Sequence, residues 1–385
     1  MLQIFHRPEL AHQLALRVVD PPATSATRSG LFLSAPRRTG KSTFLREDLI
    51  PALENAGALV LYVDLWQQRD ADPGDTIIAA VGSALKREAG ALKRLLDSTG
   101  IQRISGLSVG SLSISLDEAD AGKGVNVSTT QALAALSDET RRVIVLIIDE
   151  AQHAITTSAG ANALFGLKAA RDELNGSRHH GLRIIATGSS SDKLAMLRNS
   201  KQQAFFGAPL VPFPALGKDY VRWFIEQQEN VEDLDVDEVA RWFDRAGHRP
   251  ELLGAAMDAV TYEIGADQGT IVARLEQAID REIAASYRET LDAVRALSPL
   301  QSSVLREMAA RGTGYAPFET STLKRYAATL DEIDPDGGVT PTATNVQRAL
   351  STLQKHGLVW RASRGSYALE EPQLADLLRR EGMID

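Results

Sequence analysis

With 385 residues, 44% of them hydrophobic and 24% charged, the chain reads as an ordinary globular protein long enough for two or three domains. It has no cysteine, which excludes disulfides, thiolate metal sites and a cysteine nucleophile, and its net charge of -8 excludes a surface that coats nucleic acid as a whole. No stretch approaches the ~20 apolar residues of a membrane span. The N-terminal MLQIFHRPELAHQ lacks the basic-then-apolar order of a secretory signal, so the expectation is a cytoplasmic chain with no membrane partner.

The spacing of Leu10, Leu14 and Val18 predicts a helix over 8–19, closed by Asp20-Pro21-Pro22. A short strand, 31–33, runs into the stretch SAPRRTGKSTFL, after which 44–56 reads as a helix and the apolar run 58–63 as a doubly buried strand. One or two helices are predicted over 75–96, an alternating ribbon over 105–118 around Gly110, and a helix beginning at 129–137. The longest apolar strand, 143–148, ends at Asp149-Glu150. Helix 162–174 and strands 183–187 and 210–213 follow. Strands alternating with helices over 31–213 imply an α/β fold with a three-layer parallel sheet. From Lys218 helical periodicity dominates to about 297, with breaks at 247–250 and 265–269. The tail reads as helices 299–310, 321–330 and 343–356, with an acidic loop at 331–338, then strands 358–361 and 367–369 about a turn at 363–365. Three helices and a hairpin make a winged helix-turn-helix. The predicted domains are therefore a core, 1–216, a helical lid, 217–297, and a winged-helix domain, 298–385.

SAPRRTGKSTFL matches the phosphate-loop pattern G-x-x-x-x-G-K-[ST] except that Ala35 stands at the first glycine. Such a loop works because successive N–H groups and a helix N-terminus face the phosphates, the lysine adds a point charge and the Ser/Thr hydroxyl reaches magnesium. Gly40 supplies the sharp turn, and alanine is acceptable at 35 if its φ stays negative. Ala35, Pro36, Arg37, Arg38, Thr39, Gly40, Lys41, Ser42 and Thr43 are the expected nucleotide contacts, with Lys41 on the β- and γ-phosphates. The strand ending in Asp149-Glu150 supplies the second motif: Asp149, with Ser42, to hold Mg2+, and Glu150 to polarise water. Together the two motifs predict ATP and Mg2+ as cofactors.

A single strand between the two motifs, and a glutamate directly after the motif aspartate, resemble the additional-strand, catalytic-glutamate class of P-loop ATPases. More closely, the chain resembles the prokaryotic AAA+-like ATPases grouped with archaeal ATPases and origin-recognition initiators, whose relatives include STAND signalling NTPases. The residues that carry this are R-R-T-G-K-S, D-E-A-Q after the second strand, T-G-S-S at 187–190, a helical lid and a C-terminal winged helix. The resemblance implies that Thr187 or Ser189 senses the γ-phosphate. It also implies that Arg249, in G-H-R-P-E-L, is a lid arginine reaching back to the phosphates; the alternative is a surface arginine at a helix N-terminus. Archaeal relatives often carry glycine-arginine where this chain has Gly207-Ala208. Arg198 and Lys193 are the replacement candidates for a trans-acting charge, with surface solvation as the alternative for each. D-E-A-Q also invites a helicase reading, but no second RecA-like set of motifs follows Phe213.

In helix 343–356, Val346, Leu350 and Leu353 share one face. Asn345, Gln347, Arg348, Ser351, Thr352 and Lys355 are then predicted to face outward as a recognition surface for double-stranded DNA. Arg361 and Arg364 on the hairpin, and Lys324 and Arg325 before it, would meet phosphates. Acidic residues in the same tail leave a protein-docking role open. His179-His180 has no third metal ligand at a usable spacing, and His153 is expected to pack or cap the following helix. The expected function is a magnesium-dependent ATPase that couples nucleotide state to lid closure, self-assembly into a homo-oligomer and DNA engagement. The alternative is a slow, STAND-like switch whose winged helix binds a protein partner.

Overall fold

The computed structural model describes residues 3–67, 71–88, 90, 106–109, 112–115, 124–176, 178–199, 201–229, 231, 233–262, 271–361, 367–371 and 373–384. Proline at the first helical position starts α1 (Pro8–Val19), which leads through a single 3-10 turn to β1 (Leu31–Ser34). Helix α2 (41–55) begins earlier than its periodicity suggests, at Lys41. It runs as Lys41–Phe44, a π turn Leu45–Leu49 and Ile50–Asn55. The chain continues through β2 (Leu59–Asp64), α3 (Pro73–Arg87), β3 (Gly106–Val109), β4 (Leu112–Ser115), β5 (Gly124–Val127), α4 (Thr129–Thr140), β6 (Ile144–Asp149), α5 (Ser158–Gly176), β7 (Leu182–Gly188), α6 (Ser191–Ala195) and β8 (Leu210–Pro212).

All five strands of the main sheet are parallel, in the order β2-β6-β7-β1-β8. β7 therefore lies between the strand that feeds the phosphate loop and the strand that ends in the two carboxylates. This is the additional strand that defines the expected P-loop class. Alternation along the strands builds the two faces. Phe32, Leu146, Ile148 and Ile184 join α3, α4 and α5 in one core, whereas Leu31, Leu33, Val145 and Ile147 join α1 and α2 in the other. β6 is buried at every residue, which explains its unbroken apolar run. The predicted ribbon is the antiparallel pair β3–β4, to which β5 adds a parallel strand that alternation did not reveal. Gly110, 265–269 and 363–365 lie outside the described residues.

The helical region comprises α7 (Lys218–Glu226), α8 (Val236–Arg245), α9 (Pro250–Thr261) and the first half of α10 (Ile271–Arg295), around Val221, Trp242, Phe243, Leu253 and Leu275. The second half of α10 carries Val294 into a further core with α11 (Pro299–Arg311), α12 (Thr320–Ile333), α13 (Ala343–Lys355), β9 (Val359–Arg361), β10 (Tyr367–Leu369) and α14 (Gln373–Arg380). These cores divide within one continuous helix. Helix–helix–helix–hairpin is the order expected of a winged helix; α14 extends it. Asp331, Glu332 and Ile333, expected in a loop, complete the last turn of α12. No helix among the described residues is long and apolar enough to cross a membrane.

Close backbone packing holds the turn after β6. A Cβ at Gly160 would sit 2.2 Å from the carbonyl oxygen of Ala154, whereas one at Gly166 would meet Thr129 Oγ1 at an ordinary 3.6 Å. Gly160→Ala is expected to destabilise the protein by roughly 1–3 kcal/mol because backbone must move. Gly166→Ala should be neutral or stabilising by up to about 1 kcal/mol. Paired thermal melts of the two variants measure the contrast.

Candidate functional site: the phosphate loop and its carboxylates

The loop is tied to the sheet at its first residue: Ala35 N–H donates to Gly188 O at 3.1 Å, and Ala35 is buried with a negative φ. Alanine therefore fits at the position where the pattern expects glycine. Thr39 Oγ1 donates to Pro36 O at 2.8 Å across the loop. Two left-handed residues make the bend, Arg38 at φ 62° and Gly40 at φ 81°. Gly40 precedes α2 without any side-chain cap, so the first amides of the helix face outward as an anion cradle.

Six side chains from α2, β2, β7 and the end of β6 converge beside this cradle. The Lys41 ammonium, only 6% exposed, bonds Asp149 Oδ1, Thr187 Oγ1 at 3.1 Å and Glu150 Oε1 at 3.2 Å. Ser42 Oγ donates to Asp149 Oδ2 at 2.6 Å, Tyr62 OH reaches the same oxygen at 3.2 Å, and Thr187 Oγ1 donates to Asp149 Oδ1. Glu150 has a left-handed φ of 54°, strain of order 1–3 kcal/mol of the kind often stored at functional sites. Its Oε2 accepts from Gln152 Nε2 at 2.6 Å and from Ser189 Oγ at 3.1 Å. A Cβ on Gly188 would fall 2.4 Å from Gln152 Oε1, so that glycine makes room for the glutamine.

Burial by itself would raise both carboxyls. The Lys41 charge, with hydrogen bonds from Lys41, Ser42 and Thr187 for Asp149 and from Gln152 and Lys41 for Glu150, outweighs it and holds both below the usual carboxylate range. Burial and the Asp149 charge push the Tyr62 phenol up, keeping it a donor. The Ser42 hydroxyl and the Asp149 carboxylate form a hard oxygen pair, with the Lys41 ammonium standing in as the cation between carboxylates. That donor chemistry suits Mg2+.

A cavity of about 400 Å³ opens from the loop, lined by Arg37, Arg38, Ser189, Arg249, Glu370 and Glu371 among others. Arg249 is buried rather than a solvated surface arginine, and its Nε is 2.7 Å from Glu251 Oε1. The structure thus brings Arg249 to the same cavity as the loop.

Other expected residues sit elsewhere. Lys193 is not solvated but fully buried, paired with Glu370 Oε2 at 3.2 Å; Arg198 Nε donates to Ala208 O, its own turn. Arg348, Lys355 and Arg361 are exposed, and Asn345 is engaged at its own helix start, its Nδ2 donating to Thr340 O at 3.0 Å and its N–H to the capping Thr342 Oγ1 at 3.3 Å. Gln347 turns toward the hairpin, bonding Tyr367 OH at 3.2 Å, and Arg325 is held by Glu307 and Thr322, which removes both from an open recognition face. Arg364 lies outside the described residues. His153 packs against Trp66 with the rings tilted at 47° and centroids 4.9 Å apart, and burial keeps it neutral by pulling its ring below the usual histidine range. His179 Nδ1 pairs with Asp138 at 2.6 Å, and no metal-holding cluster of histidines and carboxylates occurs among the described residues. Sequence reading missed Tyr62, the role of Gln152, and the pairing of Lys193 with Glu370. Gln152 was visible in D-E-A-Q, but its contact with Glu150 depends on a turn that the string does not specify.

No family model matches the sequence, and no curated protein matches it. Among solved structures, the chain is similar to a Walker-type ATPase of Pyrococcus abyssi at 18% identity and TM-score 0.49, covering 98% of this chain and 96% of that one. It is also similar to the Aeropyrum pernix ORC2 protein in its ADP form, at 16% identity, TM-score 0.49 and coverage of 100% and 96%. The Aeropyrum pernix ORC1 protein in complex with DNA aligns at 17% identity and TM-score 0.42, covering 99% and 94%. The chain's own strand order and loop geometry define its fold as that of the additional-strand P-loop class.

Because both carboxyls are depressed in the folded protein, their stabilising contribution is present at neutral pH and is lost as pH falls below about 4. Lys41→Met reverses the sign. Two buried carboxylates without a counter-charge cost about 3–5 kcal/mol at pH 7. Their raised folded values make this variant gain stability as pH falls from 7 toward 5. Chemical denaturation of both proteins across pH 3–8 measures the opposite slopes.

Proposed function

We propose that the chain is a magnesium-dependent ATPase whose nucleotide state controls a helical lid and a C-terminal winged helix. In this reading 1–216 form the catalytic core, 217–297 the lid and 298–385 the winged-helix domain. The observation that carries it is the convergence of Lys41, Ser42, Asp149, Glu150 and Thr187 at the open end of α2. That set of groups contains the phosphate-binding lysine, the magnesium-holding oxygens and the water-orienting carboxylate that phosphoryl transfer to water uses. Lys41 leaves its carboxylate partners to bind the β- and γ-phosphates, while Ser42 and Asp149 would hold Mg2+. Bound there, the ion supplies charge neutralisation for the phosphate oxygens. Glu150, fixed by Gln152 and Ser189, orients the attacking water and takes its proton as the γ-phosphoryl group leaves ADP. Thr187 and Ser189 register the γ-phosphate, and Arg249 closes the lid over it.

A slower, switch-like turnover is favoured by one observation. Arg198 is spent on Ala208 O and Lys193 on Glu370, so neither replacement candidate is presented to a neighbouring subunit. A missing trans-acting arginine lowers turnover by about 10³-fold or more. Homo-oligomer formation, double-stranded DNA and a protein partner are the proposed associations, with Arg348, Lys355 and Arg361 the exposed cations of the DNA face.

Glu150→Gln is expected to keep ATP binding and to lower hydrolysis by about 10²–10⁴-fold. Lys41→Ala should lose ATP binding. Phosphate-release assays beside nucleotide titrations separate the two, and equal hydrolysis by Glu150→Gln and the parent chain would remove the assignment. For the DNA face, Arg348→Ala and Lys355→Ala should each reduce the slope of log affinity against log salt by roughly 0.9, one phosphate contact apiece.

A further inference from the structure

The polar anchor of the C-terminal hairpin on the ATPase is one residue, Glu370. Directly after β10, Glu370 Oε1 accepts from Arg37 Nη2 at 2.9 Å, Oε2 lies 3.2 Å from Lys193 Nζ, and the Glu370 backbone carbonyl accepts from the same ammonium at 2.9 Å. Lys193 is 0% exposed, so this bridge holds a buried charge rather than a surface pair. Around it, Lys193 Nζ lies 5.4 Å from the Trp360 ring centroid and the Arg37 guanidinium 4.6 Å from that of Trp66. Trp360 and Ala368, paired across β9 and β10, pack into the hydrophobic core that covers one face of the main sheet. The hairpin of the C-terminal unit is thus docked on the ATPase, and one of its two cationic anchors belongs to the phosphate loop.

We propose that Glu370 is an acidic latch that docks the C-terminal hairpin on the phosphate loop and is displaced by ATP. The inference rests on the nucleotide reading of that loop. Arg37, Arg38 and Arg249 share their cavity with Glu370 and Glu371, so a triphosphate entering it competes for Arg37 and repels both carboxylates. Phosphate oxygens accept the planar guanidinium fork as well as a carboxylate does. Once Arg37 turns to phosphate, Glu370 is left facing incoming negative charge. Its departure takes the counter-charge of Lys193 and the packing of Trp360 with it. The hairpin therefore leaves as a unit, which makes the element two-state. By linkage, whatever factor ATP gains for hairpin release, the docked hairpin subtracts from ATP affinity.

The cysteine-free chain allows a direct test. Glu54 on α2 and Ser351 on α13 are exposed, so Glu54→Cys with Ser351→Cys gives a unique pair of spin labels. The latch predicts that ATPγS lengthens and broadens the measured distance distribution. It also predicts that Glu370→Gln does so without nucleotide and binds ATPγS about tenfold more tightly in a separate titration. Binding of ATPγS with no change in distance, together with unaltered affinity in Glu370→Gln, overturns the latch and leaves the ATPase reading standing. Failure of the parent chain to bind ATPγS overturns the ATPase reading and the ATP-driven release. The docking role of Glu370 is still decided by the nucleotide-free distances of Glu370→Gln, with an unchanged distribution counting against it.

Discussion

A buried lysine facing two buried carboxylates sets the terms for the rest of this molecule. The Lys41 ammonium satisfies the buried Asp149 and the part-buried Glu150 at the end of a strand, and each carboxylate is further fixed by hydroxyl or amide donors. Such a cluster is costly to assemble and costlier to leave half-built. Its positioning therefore depends on rigid neighbours. The doubly buried β6 carries the carboxylates, β7 carries Thr187 beside them, and the bend at Arg38 and Gly40 delivers Lys41 from the other side.

Placing an extra parallel strand between β1 and β6 widens the separation of loop and carboxylates, and Thr187 on that strand fills the gap by bonding both Lys41 and Asp149. Topology and chemistry are linked at this residue. The same logic extends outward, where Gln152 and Ser189 hold Glu150 and the absent side chain of Gly188 admits the glutamine. Beyond them the cavity walls are of mixed charge, arginines from the loop and the start of α9 facing glutamates just after the hairpin.

Much of this was legible in the sequence because the signals are local. Long apolar runs mark strands buried on both faces, and G-K-S before a helix marks a turn whose amides are free. Lys41, Ser42, Asp149 and Glu150 were each named from such signals, and Thr187 from the family resemblance. What escaped depends on pairing between distant segments. Nothing near Lys193 in the chain announces Glu370, which is why a fully buried lysine paired with a partly buried glutamate reads in sequence as a solvated lysine. Gln347 and Arg325 face outward on a helical wheel, yet Tyr367 and Glu307 arrive from other elements to claim them. The parallel strand β5 and the helix α14 were likewise invisible, one too short for a clear alternation and the other short and highly charged.

The central claim is that the lysine–carboxylate cluster is the resting form of a magnesium-dependent hydrolytic site. Phosphate release from ATP by the purified chain, followed with magnesium and again with the metal chelated, tests it most directly. Release that requires magnesium is the predicted result. Release at the same rate in chelator, or none in either condition over many hours despite bound ATP, would contradict it.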